Sequence, residues 1–130
     1  MNGKINLLLD TNIVIGFLNG HKQISHFLSN QKKQYEVNVS QITRIELLGF
    51  PNITNNEATI IKKFLAEVKV FALSDEIEDK VVELRKTTRL KLPDAIIVAT
   101  ALVHKLKLVT CDEQLIKSTN SLSSINPCNI

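Results

Sequence analysis

Two short apolar runs, each leading to an aspartate, constrain this chain more than any other feature. Residues 5–9 read Ile-Asn-Leu-Leu-Leu and stop at Asp10, and residues 108–110 read Leu-Val-Thr and lead through Cys111 to Asp112. Runs this short and this apolar suit strands of a parallel sheet, which are buried on both faces. Further strands are expected at 35–39, where apolar and polar residues alternate, at 70–73, and at 124–128 as an edge strand that tolerates Pro127. Between them lie helical patterns. Residues 12–18 run to a break at Gly20, and Ile24, Phe27 and Leu28 mark a helix over 22–30. Ser40 is the expected N-cap of a helix over 41–49, closed by Gly49 and Pro51. Asn55 or Asn56 caps another over 57–68, Ser74 opens one over 75–89, and Pro93 fits the first turn of one over 93–106. Strands alternating with helices predict an α/β sandwich built on a parallel sheet. In such sheets chemistry gathers at the carboxyl ends of the strands, so Asp10 and Asp112 are expected on one edge.

Composition sets the outer bounds. A chain of 130 residues is expected to form one domain over 1–130. Apolar residues make up 44% of it, enough to fill a core and to exclude wholesale disorder. The longest apolar runs, 13–15 and 95–99, fall far short of the ~20 residues of a membrane-spanning helix. The opening Met1-Asn2-Gly3-Lys4-Ile5-Asn6 has no leader pattern, which makes the cytoplasm the expected compartment. Two cysteines, Cys111 and Cys128, are too few for a zinc site or a disulfide framework, and both are expected to be reduced and incidental. With no Trp and only Tyr35, a stacking platform for single-stranded bases is not expected. The net charge of +3 is mild for a phosphate clamp, so a nucleic-acid partner would need positive charge from something besides Lys and Arg.

Four acids stand out: Asp10, Glu46, Asp94 and Asp112, each flanked by apolar residues on at least one side. Burying a carboxylate is costly unless it is paired or binds a metal. Four of them converging would repel one another, and a divalent cation resolves that repulsion. Oxygen donors without a His or Cys cluster suit Mg²⁺ or Mn²⁺ rather than zinc. Each acid alone also has an ordinary explanation. Glu46 completes a Thr43-x-x-Glu46 capping box, Asp94 favours a helix dipole, and Asp10 and Asp112 follow strands as turn residues. The joint pattern of two strand-end and two helix-borne acids is what points to a shared site.

In these four segments the chain resembles the PIN-domain ribonucleases, above all the small VapC-type toxins of type II toxin–antitoxin systems. Leu7-Leu8-Leu9-Asp10-Thr11-Asn12-Ile13-Val14-Ile15 is similar to the family's first motif, and Ser40…Thr43…Glu46-Leu47 to its second. Pro93-Asp94-Ala95-Ile96-Ile97-Val98-Ala99-Thr100-Ala101 is similar to the third and most specific motif, and Val109-Thr110-Cys111-Asp112 more loosely to the fourth. Around that fourth acid, Cys111 and Leu115 stand where many members carry Arg or Asn and a bulky aromatic. The resemblance implies a three-layer sandwich with a parallel sheet of about five strands. It also implies Mg²⁺- or Mn²⁺-dependent RNA cleavage, a homodimer, and a cognate antitoxin.

On this reading Asp10, Asp94 and Asp112 hold one or two ions, and Glu46 is a further ligand or a partner just outside them. Asn12 and Thr110 are candidates to orient carboxylates or metal-bound water. Arg85, Lys86, Arg89 and Lys91 cluster ahead of Asp94 and, with Arg44, are weaker candidates for RNA phosphates; each is also explained as a solvated surface cation. Lys32-Lys33 and Lys62-Lys63 are read as solubilising, and His21, His26 and His104 make no metal spacing. Two other functions compete. One is a catalytically silent domain that binds RNA or protein. The other is an aspartate-based phosphatase, which wants a second acid where Asn12 stands and a lysine at the acidic edge.

Overall fold

The computed structural model describes residues 4–31 and 35–129; Lys32-Lys33 lie outside them. Five strands form one sheet: β1 (Ile5–Leu9), β2 (Tyr35–Ser40), β3 (Lys69–Phe71), β4 (Lys107–Val109) and β5 (Ser124–Ile125). All pairings are parallel and the order is β3-β2-β1-β4-β5, with β1 at the centre. The helices are α1 (Thr11–Leu18), α2 (Lys22–Gln31), α3 (Gln41–Leu48), α4 (Asn55–Ala66), α5 (Asp75–Thr87), α6 (Leu92–His104) and α7 (Glu113–Ile116).

Side chains on a strand alternate between faces, so β1 feeds two cores. Leu8 packs with Leu108 and with Ile77, Leu84 and Ile97 of α5 and α6. Leu7 and Leu9 pack with Val39, Val109 and residues of α1 to α4, among them Ile13, Ile24, Leu47 and Leu65. Leu7, Leu8 and Leu9 are all 0% exposed, as a central parallel strand requires. The result is the expected three-layer sandwich.

Several boundaries differ from the sequence expectation. The α4 cap is Thr54, not Asn55 or Asn56. Thr54 Oγ1 accepts from the Glu57 amide while Glu57 Oε1 accepts from the Thr54 amide, a reciprocal box that neither asparagine offers. Helix α6 stops at Lys105, whose left-handed backbone (φ 55°) ends it before residue 106. β5 covers only Ser124–Ile125, and Pro127, with no amide to donate, opens a 3₁₀ turn over Pro127–Asn129. The four residues of α7 are too few to leave a periodic pattern in sequence.

The cysteines correct the expectation of reduced, incidental thiols: Cys111 and Cys128 form a disulfide. Parallel pairing of β4 with β5 sets the segments that leave these strands side by side, and the two Cα atoms lie 5.7 Å apart, within disulfide reach. Among the described residues no helix is long and apolar enough to cross a membrane.

Candidate active site

Topology decides which acids can meet. In a parallel α/β sheet the helices run back against the strands, so helix N-termini and strand carboxyl ends share an edge. Asp10 follows β1 directly and stands at the N-terminal end of α1, its side chain making no cap hydrogen bond. Asp112 follows β4 and caps α7. Asp94 lies in the first turn of α6, just after Pro93. Residues Ala95 to Ala101 of that helix are buried, so α6 runs through the core and delivers Asp94 at the edge. Glu46 lies on α3, which starts where β2 ends.

Hydroxyl groups hold this edge together. Asp10 is 4% exposed, and its Oδ2 accepts a hydrogen bond from Thr110 Oγ1 at 2.8 Å. The same Thr110 oxygen accepts from the Asp112 amide at 3.0 Å, so one buried hydroxyl ties the acid after β1 to the acid after β4. A second chain reaches Glu46. Thr11 Oγ1 donates to Glu46 Oε1 at 2.7 Å and lies 2.8 Å from Thr43 Oγ1. With the Thr11 proton committed to the carboxylate, Thr43 is the donor to Thr11. This geometry overturns the capping-box explanation of Glu46: Thr43 is buried inside α3, and Ser40 caps the helix by accepting from the Ile42 amide at 3.1 Å. Asp112, by contrast, does serve its helix, since Oδ1 accepts from the Gln114 amide at 2.9 Å.

The acids act on one another electrostatically. Asp10 is pushed up to about 6, chiefly by burial, against the opposing Thr110 hydrogen bond; the charges of Asp94 and Asp112 push it further. Asp94 is also raised, first by burial, then by Asp112 and Glu46, with Lys91 pulling the other way. Both shifts come first from burial, with the mutual repulsion of the carboxylates adding to it. Among the described residues, no three His, Cys, Asp or Glu side chains stand in a ready ligand arrangement for a metal ion. The donor chemistry nonetheless suits one: carboxylate oxygens, mutually repelling, are the ligands that Mg²⁺ and Mn²⁺ take.

The fold of this edge agrees with a family match. The PIN domain family model covers residues 7–120. The chain belongs to the PIN-domain family. This PIN domain is similar to a toxin–antitoxin complex from Klebsiella pneumoniae (29% identity, TM-score 0.78, covering 93% of this chain and 97% of that one). In fold it is also similar to VapBC2 from Rickettsia felis bound to a promoter DNA fragment (21%, 0.81, 94% and 98%). VapBC-1 from nontypeable Haemophilus influenzae gives the same fold likeness (21%, 0.81, 95% and 99%). No curated protein sequence matches the chain.

The weaker candidates separate within the PIN fold. Arg89 and Lys91 line an open cleft of about 610 Å³ together with Asp94, Asp112, Gln114 and Lys117. Arg85, Lys86 and Arg44 do not line it. Arg85 instead donates to the Leu90 carbonyl at 2.9 Å, bracing the α5–α6 turn. Asn12 is exposed and, among the described residues, makes no side-chain hydrogen bond. Lys91, which the sequence placed just ahead of Asp94, lies close enough to pull the Asp94 pKa down. Sequence reading passed over Thr11 and Lys117. The only signal for Thr11 was its place directly after Asp10.

Proposed function

We propose that the chain acts over 1–130 as one divalent-metal-dependent endoribonuclease, the toxin of a toxin–antitoxin pair. The observation that carries this reading is the Thr110 hydroxyl joining Asp10 to Asp112 beside a raised Asp94. Asp10, Asp94 and Asp112 supply the oxygen donors for Mg²⁺ or Mn²⁺. Glu46, fixed through Oε1 by Thr11, keeps its other oxygen for a place in or beside that donor set. When bound, the ion lowers the pKa of its water and offsets charge on the phosphate oxygens. Thr110 orients Asp10, and the Thr43–Thr11 chain orients Glu46. Arg89, Lys91 and Lys117 take the phosphates of the RNA strand along the cleft.

The antitoxin reading is supported by the similar structures, which are toxin–antitoxin assemblies. It is also supported by an apolar groove of about 400 Å³ between α1, α3 and α4, lined by Ile15, Leu18, Leu47, Phe50 and Ile60. Phe50 is 58% and Ile60 46% exposed, more apolar surface than a core explains. A homodimer belongs to the same proposal.

Incubating the protein with RNA and Mg²⁺ or Mn²⁺ tests the reading. Cleavage is expected, lost with chelator and in Asp10→Asn or Asp94→Asn. RNA affinity that survives chelation without cut products would instead identify a silent binder.

A further inference from the structure

The disulfide sits where it bears on the acids. Cys111 lies between Thr110 and Asp112, and the amide of Asp112 is already tied to the Thr110 hydroxyl. Its partner Cys128 belongs to the 3₁₀ turn, where its amide donates to Asn126 Oδ1 at 2.9 Å and its carbonyl accepts from Gln23 of α2 at 3.2 Å. Asn126 in turn donates to Glu113 Oε2 at 2.8 Å. Residues 111–113 are therefore fastened to the segment 126–128 by a covalent link and a side-chain hydrogen bond.

Besides these links, that side is held by the buried Leu115 of α7 and by two backbone hydrogen bonds between β4 and the β5 segment. β5 is an edge strand of two residues, and α7 has four, far below the length at which a helix holds itself. Both cysteines are partly exposed, within reach of a reductant.

We propose that the Cys111–Cys128 disulfide is a redox-operated clamp that holds Asp112 in position for the metal, a proposal that rests on the ion-binding reading above. A protein dithiol is the reductant. Its thiolate attacks one sulfur to form a mixed disulfide, and its second thiol releases the protein. Cys111 and Cys128 each end as a thiol and the reductant ends as a disulfide, two electrons and two protons having passed to the chain. With the bond open, the covalent tie is lost while Asp112 keeps its local hydrogen bonds and the Asn126–Glu113 link beside it, and the donor set loosens. Asp112 stays the ligand; the cysteines act only through its position.

The test is Mn²⁺ affinity, measured by calorimetry on the oxidised chain and again after dithiol treatment. Alkylation and mass spectrometry verify the thiol state, and circular dichroism verifies the fold. Reduction is expected to weaken Mn²⁺ binding by about tenfold, the scale of losing outer support for a metal ligand, and reoxidation to restore it. Cys128→Ser is expected to bind like the reduced form and to ignore the dithiol. Equal affinity in both redox states, or free thiols in the oxidised preparation, overturns the clamp and leaves the ion site standing. No Mn²⁺ binding in either state overturns both.

Discussion

Thr110 and Asp10 lie a hundred positions apart in sequence, yet the threonine hydroxyl donates to Asp10 Oδ2 at 2.8 Å in the buried edge of the sheet. Replacing it by Thr110→Val removes the donor to Asp10 and the acceptor of the Asp112 amide at once. Mn²⁺ affinity is expected to fall by roughly 10- to 100-fold, as for other supports of metal ligands. Thr110→Ser, which keeps the hydroxyl, is expected to retain most of it. Calorimetric titration of the two variants compares them directly.

Asp10 carries a pH signature. Its folded-state value, about 6, lies above the ordinary 3.8, so the folded chain binds this proton more tightly than the unfolded chain does. Protonation of Asp10 therefore stabilises the metal-free fold at low pH, and that stability is lost as pH rises from about 4 through about 6. A shift of this size corresponds to an effect on the order of 3 kcal/mol. Asp94 is raised as well and works in the same direction. Melting in the presence of chelator is expected to show the loss across this window. Asp10→Asn, which keeps an acceptor for Thr110, is expected to flatten it and to raise Tm at neutral pH. Added Mn²⁺ is expected to restore the wild-type Tm and leave the variant unmoved.

The cations separate by role. Arg89→Ala and Lys117→Ala, both on the cleft, are expected to raise KM for RNA. Each is expected to lower the salt dependence of binding by about 0.7 in log–log slope, the share of one single-strand phosphate contact. Arg85→Ala is expected to leave that slope alone and to cost about 1 kcal/mol of stability, because its guanidinium bonds the Leu90 carbonyl. Filter binding across a salt series, with denaturant melts, distinguishes the two classes.

Where sequence sufficed, the physics was local or topological. Leu7 to Leu9 announced a central strand because a parallel strand at the centre of a sandwich is buried on both faces. Asp10 and Asp112 were assigned to one edge because parallel strands end together. Two expectations failed, the first by a missed local signal three residues on and the second for lack of non-local information. Thr54, Asn55 and Asn56 can each cap a helix, and only the reciprocal bond from Glu57 selects Thr54. Cys111 and Cys128 meet because β5 pairs with β4, which their spacing does not reveal. Within the basic stretch ahead of Asp94, Arg85 donates to the Leu90 carbonyl while Arg89 and Lys91 line the cleft, a division that spacing alone does not reveal. The Thr43–Thr11–Glu46 chain was hidden for the same reason, since its members come from two helices.

The most direct test locates the ion itself. Crystals grown or soaked with Mn²⁺ are to be measured at the manganese absorption edge, where anomalous scattering marks the metal unambiguously. The expected result is a peak bounded by Asp10, Asp94 and Asp112, with carboxylate oxygens at roughly 2–2.5 Å. A well-ordered manganese elsewhere, with that edge empty at concentrations that support RNA cleavage, would contradict it.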